Sequence, residues 1–207
     1  MHILSHRGNW NKSGEKNTKL AFLRSFEAGF GTETDIRDQG GRVVISHDLP
    51  TPKAITFSAF AALPGAANVP LALNVKADGL AALVRAEIEE ADLRSAFAFD
   101  MSVPDMQSYF TAGIPVMTRM SEVEQEPAWL QRSAGVWLDG FESNWWSTDT
   151  IHRILDRGKR VCIVSPELHG REHLAAWETL LEFSAADAVL LCTDFPLEAR
   201  NVLEIKE

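Results

Sequence analysis

Short apolar runs recur along the whole chain, and a stretch with helical spacing or a short connection separates nearly every one from the next. The runs are HILSHRG, GTETDIRD, PLALNVKA, SAFAFD, IPVMTRM, GVWLDGF, RVCIVSP and DAVLLCTDFP. Between them lie NTKLAFLRSFEAGF, with Asn17 or Thr18 as its cap, TFSAFAALPG, DGLAALVRAEIEEADL, with Asp78 as its cap, VPDMQSYFTAG, EVEQEPAWLQRS, STDTIHRILDRG and REHLAAWETLLEFSA. A further apolar run, QGGRVVISHD, follows a Gly-Gly turn and reads as a β-hairpin arm folding back on strand 2. Strands that alternate with helices argue for a parallel sheet, because a parallel pair needs a crossover that covers one face. Eight such strands predict a closed (β/α)8 TIM barrel, a single compact α/β domain spanning residues 1–207. An open doubly wound sheet is the competing architecture, but no GxGxxG loop follows the first strand.

The bulk composition fits one buried core. The chain has 207 residues, of which 45% are hydrophobic, enough for a barrel of this size. The net charge of −9 and the lack of any Lys/Arg block exclude the usual electrostatics of nucleic-acid binding. Cys162 and Cys192 each sit inside an apolar run and are expected as buried reduced thiols. The start MHILSHRG shows neither a basic segment nor a long apolar one, so no signal peptide is expected. No run approaches the ~18 apolar residues of a membrane span. A cytoplasmic protein is the expectation.

In a TIM barrel the chemistry lies at the C-terminal ends of the strands, and the polar residues of this chain collect there. The ends carry His6 and Arg7, Glu33 and Asp35, Asn74 and Lys76, Asp100, Arg119, Asp139, Glu167 and Asp194. The later acids also suit helix caps; Asp100 and Asp139 are read equally either way, and Asp194 more readily as a cap. Glu33 and Asp35 stand at i and i+2, so both face the same side of their strand, opposite Thr34 and Ile36. Two carboxylates about 5 Å apart repel by roughly 3 kcal/mol at an effective dielectric near 20, so something must relieve them. A divalent cation suits, because hard cations take oxygen ligands; a salt bridge with Arg7, Arg37 or Lys76 suits equally well. Asn74 and Lys76 repeat the i, i+2 pattern in an otherwise apolar run, offering a carbonyl oxygen and a fixed positive charge. His6 and His47 both close strands and are candidate proton-transfer partners, since imidazole titrates near neutral pH. Asp48 either orients the His47 imidazole or bonds the turn before Pro50. Glu167, His169 and Arg171, and separately Trp145 and Trp146, fall in loops that either face the mouth or serve as ordinary packing and loop residues.

These segments resemble the glycerophosphodiester phosphodiesterase family: SHRG, NTKLAF followed by EAGFGTETDIR, GRVVISHD, LNVK and a late CTDFP. The resemblance is dense over the first half and thinner from Ala77 to Ala188. It implies a TIM barrel, in agreement with the independent strand count. It also implies roles: His6 and His47 as catalytic histidines, Glu33, Asp35 and Asn74 as metal positions, and Arg7 and Lys76 as phosphate contacts. The implied metal is Mg²⁺ or Ca²⁺, and the implied substrate a small phosphodiester cleaved to sn-glycerol 3-phosphate and an alcohol. Asn74 departs from the family, which usually has a third acid there, and the connection from His47 to LALNVK is short where the family usually carries an insertion. A binding or regulatory protein on the same scaffold is the second reading.

Overall fold

The computed structural model describes residues 1–205. Its elements run β1 (His2–His6), α1 (Lys19–Glu27), β2 (Gly31–Gln39), β3 (Arg42–Ile45), α2 (Phe57–Ala61), β4 (Leu71–Val75), α3 (Ala81–Glu90), β5 (Ala96–Phe99), α4 (Val103–Thr111), β6 (Met117–Met120), β7 (Gly135–Leu138), α5 (Thr148–Leu155), β8 (Arg160–Val164), α6 (Leu174–Thr179), β9 (Val189–Thr193) and α7 (Pro196–Val202). Eight parallel strands pair in the order β5-β4-β2-β1-β9-β8-β7-β6. A parallel bridge from Ala98 to Val116 joins the two ends of that order and nearly closes the ring into a TIM barrel. The hairpin arm is present: β3 runs antiparallel to β2, with Ile36 opposite Ile45.

Alternation along each strand sorts the side chains into two layers. Leu4, Ala72, Phe97, Phe99, Met117, Trp137, Cys162, Val164, Leu190 and Cys192 fill the barrel interior. Phe99 and Trp137 stack there with ring centroids 3.7 Å apart. The opposite faces pack under the helices, around Phe22, Phe57 and Phe60 on one side and Trp177, Phe183 and Ile151 on the other. Burial on both faces is why the strands read as continuous apolar runs. Both cysteines are free and buried in the interior, as expected. No helix among the described residues is long and apolar enough to cross a membrane.

Three expectations for individual elements are corrected. EVEQEPAWLQRS forms turns rather than a helix. Ser121 bridges Glu124, Glu124 is held by Arg119 at 2.5 Å, and Glu122 accepts from the backbone N–H groups of Phe141, Glu142 and Ser143. Its acids thus bond to neighbouring loops, and Pro127 lacks the N–H that a helix interior requires. Asp78 does not cap α3; Leu80 occupies that position without a side-chain bond, and Asp78 instead accepts from Ser102 Oγ at 3.0 Å. The strand end read at DAVLLCTDFP stops short of Pro196, which instead opens a last helix, α7. Of the two caps considered for α1, Thr18 takes the role, accepting from Ala21 N.

Candidate active site

The turn after β1 is built so that two polar side chains point into the barrel mouth. Arg7 takes the left-handed conformation (φ 59°) and its N–H donates to Glu33 O at 2.9 Å. Gly8 follows at φ 87°, where a Cβ would lie 2.7 Å from Ala21 Cβ, so only glycine lets α1 pack this close. Thr32 on β2 fixes the same turn, its hydroxyl accepting from Gly8 N at 3.0 Å and donating to Ser5 O at 2.9 Å. His6 lies opposite Glu33 in the β1–β2 ladder, and Asp35 opposite Asn74 in the β2–β4 ladder. Register alone therefore brings three strand ends together.

The two acids of β2 live in different environments. Asp35 is fully buried and met on every side: Arg7 Nε at 2.9 Å, Lys76 Nζ at 3.5 Å, and Asn17 Nδ2, which donates at 2.8 Å. The salt bridge entertained from sequence therefore forms with Arg7 and Lys76, whereas Arg37 turns away and donates to His47 O at 3.1 Å. Glu33 is as deeply buried, yet no Arg or Lys pairs with it among the described residues; His6 Nε2 lies 3.9 Å away and Glu33 Oε2 makes no hydrogen bond. Burial, and then the Asp35 charge, raise the Glu33 carboxyl from 4.5 to about 7, against the pull of His6, Arg7 and Lys76. Asp35 Oδ1 and Asn74 Oδ1 are likewise buried without a hydrogen bond.

His6 is oriented from behind. Its Nδ1 bonds Asp194 Oδ1 at 2.7 Å, and Lys16 Nζ donates to Asp194 Oδ2 at 3.3 Å. Hydrogen bonding to His6 and the charges of His6 and Lys16 outweigh burial and hold the Asp194 carboxyl below its ordinary range. Asp194 is fixed in turn by Glu167, which accepts from Asp194 N at 3.1 Å and from the Thr193 hydroxyl at 2.5 Å, and also from Ser165. Asp194, read more readily as a cap from sequence, is thus the orienting partner of His6, and the N-cap position of α7 is Phe195, without a side-chain cap. Lys16 and Asn17 were missed as site residues. Their signal was the polar stretch just before α1, which α1 packing folds back over the mouth.

Strand register and contacts link His6, Arg7, Glu33, Asp35, Asn74 and Lys76, and His47 follows Ser46, whose N–H donates to Asp35 O at 3.0 Å. His47 is about half exposed on the loop after β3, where its Nδ1 pairs with the exposed Asp48 at 2.9 Å. None of its hydrogen bonds or ion pairs among the described residues reaches the other six. Asp48 thus takes the orienting role of the two considered for it.

Across the mouth a second polar group forms. Asp100 and Arg119 pair at 3.2 Å, and Asp139 binds His169 Nε2 at 2.8 Å. Neither acid caps a helix, since Ser102 and Ser147 do so. Asp100 is raised by burial against the pull of Arg119 and Lys76. A cavity of about 490 Å³ runs along this rim, lined by Lys76, Asp78, Asp100, Ser102 and Arg119. Trp145 donates to Asp139 O at 2.6 Å and Trp146 is buried under the helices; for Trp146 packing is the outcome. Arg171 is used on the loops, bonded to Asn144 Oδ1 at 2.5 Å and to Gly140 O.

No protein-family model matches the sequence, and no curated protein matches it. Solved structures similar in fold include two phosphodiesterases. A glycerophosphodiester phosphodiesterase from Agrobacterium tumefaciens superposes with a TM-score of 0.73 at 16% identity, over 99% of each chain. A glycerophosphoryl diester phosphodiesterase from Parabacteroides distasonis superposes with a TM-score of 0.67 at 13% identity, covering 98% of this chain and 86% of that one. The chain is therefore a TIM barrel with the fold of these two enzymes.

Proposed function

We propose that this chain hydrolyses a phosphodiester, taking a glycerophosphodiester-like substrate to sn-glycerol 3-phosphate and an alcohol. The observation that carries the reading is the His6–Asp194 pair set at the barrel mouth beside Glu33 and Asp35, with Arg7 and Lys76 on the same rim. The fold shared with two enzymes of that name supports it. Arg7 and Lys76 supply fixed positive charge for phosphate oxygens, in a site walled by buried strands where such charge acts strongly. His6 Nε2, opposite the nitrogen held by Asp194, is free to take a proton from the nucleophile, either water or a neighbouring substrate hydroxyl. His47 is the second proton-transfer candidate read from the sequence.

A divalent cation, Mg²⁺ or Ca²⁺, fits the buried oxygens that accept no hydrogen bond: Glu33 Oε2, Asp35 Oδ1, which has Lys76 Nζ at 3.5 Å, and Asn74 Oδ1. Such a cation would supply Lewis-acid stabilisation of the phosphoryl charge. Among the described residues no cluster of three or more His, Cys, Asp or Glu is set to hold a metal, so this set has two acids and one amide. That deficit, with Asp35 already paired to two cations, favours a second reading in which the same site binds a phosphodiester without turnover. The test is hydrolysis of bis(p-nitrophenyl) phosphate and glycerophosphocholine with Mg²⁺, with Ca²⁺ and with EDTA. Turnover lost by orders of magnitude in His6→Ala supports hydrolysis. Binding measured by calorimetry without turnover supports the second reading instead.

A further inference from the structure

Lys76 shares its rim with the charged ends of the next two strands. In the β4–β5 ladder Asn74 lies opposite Phe99, so Asp100 leaves β5 beside the end of β4 that carries Lys76. The Ala98–Val116 bridge sets β6 next to β5, and Arg119 on β6 reaches Asp100 at 3.2 Å. Lys76, Asp100 and Arg119 line one cavity of about 490 Å³, within the size range of small-molecule sites. Lys76 also pairs with Asp35 at 3.5 Å, so a phosphate held by Lys76 lies at the wall of this cavity.

Both members of the Asp100–Arg119 pair are held in place. Asp100 follows Phe99, which stacks on Trp137, and precedes the buried Met101; its left-handed backbone (φ 62°) is one that aspartate tolerates. Arg119 is fixed through Nε by Glu124 at 2.5 Å, and its guanidinium lies over the Phe141 ring at 5.5 Å. Each side chain keeps one unused atom. Among the described residues Asp100 Oδ2 accepts no hydrogen bond and Arg119 Nη2 donates none. A carboxylate oxygen only accepts and a guanidinium nitrogen only donates, so the pair offers the cavity one of each.

That offer discriminates among chemical groups. An ammonium only donates and would meet Arg119 as a like charge. A quaternary ammonium favours aromatic faces, and no aromatic side chain lines the cavity. An acyl chain would find only Val75 and Ala77. The acids Asp78 and Asp100 balance the cations Lys76 and Arg119, so the lining favours a neutral group. A hydroxyl both donates and accepts, and neighbouring hydroxyls suit neighbouring Asp100 and Arg119. We propose that Asp100 and Arg119 bind a polyol attached to the phosphate and so select polyol-bearing diesters; this rests on the phosphodiesterase reading above. The polyol's hydroxyls donate to Asp100 Oδ2 and accept from Arg119 Nη2. Either the glycerol half or the departing alcohol brings this chemistry.

A site built to hydrogen-bond hydroxyls rejects an analogue that lacks them. Two matched pairs of diesters test this. The first, p-nitrophenyl glycerophosphate and p-nitrophenyl propyl phosphate, differ only in the hydroxyls of the half that keeps the phosphate. The second, glycerophosphoglycerol and glycerophosphopropanol, differ only in the hydroxyls of the departing alcohol. In at least one pair the wild type is expected to favour the polyol ester by about 10–100-fold in kcat/KM, chiefly through KM, and Arg119→Gln to bring that ratio within about threefold of unity. The pair that shows the preference identifies the half that is bound. Asp100→Asn is expected to shrink the ratio in the same pair, and serves if circular dichroism shows that Arg119→Gln does not fold. Equal kcat/KM for the two members of both pairs, or a preference undiminished in the folded variants, overturns the assignment and leaves the phosphodiesterase reading standing. Failure of the wild type to hydrolyse any of the four overturns both.

Discussion

Replacing Glu33 by Gln removes one buried charge while keeping the side chain's shape. The carboxyl is 1% exposed, lacks a hydrogen bond at Oε2, and is raised from 4.5 to about 7 by burial and by Asp35. A carboxyl with a higher pKa folded than unfolded makes the native state bind more protons between those two values. Stability contributed by this group is therefore greatest below pH 4.5, falls through the interval, and is flat above about pH 7. At about 1.4 kcal/mol per pH unit, the rise from 4.5 to about 7 is worth about 3 kcal/mol. The difference in unfolding free energy between Glu33→Gln and wild type should widen in favour of Gln by that amount between pH 4.5 and pH 8. In urea that is a relative midpoint shift of about 1 M or more. The assay is urea unfolding followed by tryptophan fluorescence, in EDTA, at half-unit pH steps, for both proteins. Other titrating groups largely cancel in the difference. A gap that stays level within about 0.5 kcal/mol across the range would refute the reasoning, because Glu33 would then be ionised and matched by His6, Arg7 and Lys76. Repeating the series with Mg²⁺ or Ca²⁺ probes the cation without any activity measurement. A cation held by Glu33 should restore the wild type at pH 8 by RT ln(1 + [L]/Kd) and leave Glu33→Gln unmoved.

Asp194→Asn should lower kcat about 10²-fold without changing the circular dichroism spectrum, because it frees the His6 ring; adding it to His6→Ala should cost little more, which a double-mutant cycle measures. Asn74→Asp adds a third acid beside Asp35 and should lower the thermal stability of the metal-free protein while tightening Mg²⁺ or Ca²⁺ binding by about tenfold in calorimetry. Trp137→Ala removes the ring stacked on Phe99 inside the barrel and should cost about 3–5 kcal/mol, read as a fall in Tm of roughly 10 °C.

The barrel was legible because its signal is local. Most strands are apolar on both faces, and their lengths and flanking helices can be read without knowing their partners. Failures occurred where a local pattern met a stronger tertiary demand. EVEQEPAWLQRS has helical spacing, but Glu122 and Glu124 are drawn into bonds with Arg119 and the loop after β7. Asp78 has the chemistry of a cap but faces Ser102.

The sequence by itself determined the strand ends that carry polar groups, and the i, i+2 spacing that turns Glu33 and Asp35 the same way. Period-two alternation is a property of one strand and needs no fold to express it. The fold decided who meets whom. Parallel register set His6 against Glu33 and Asp35 against Asn74, and ring closure brought Asp194 from the last strand to His6 on the first. It also left two neighbouring acids unlike: Asp35 compensated by Arg7, Lys76 and Asn17, Glu33 buried without a match. Whether a buried carboxylate keeps its proton depends on the charges and dipoles within a few ångströms of it, and only the packed chain supplies those.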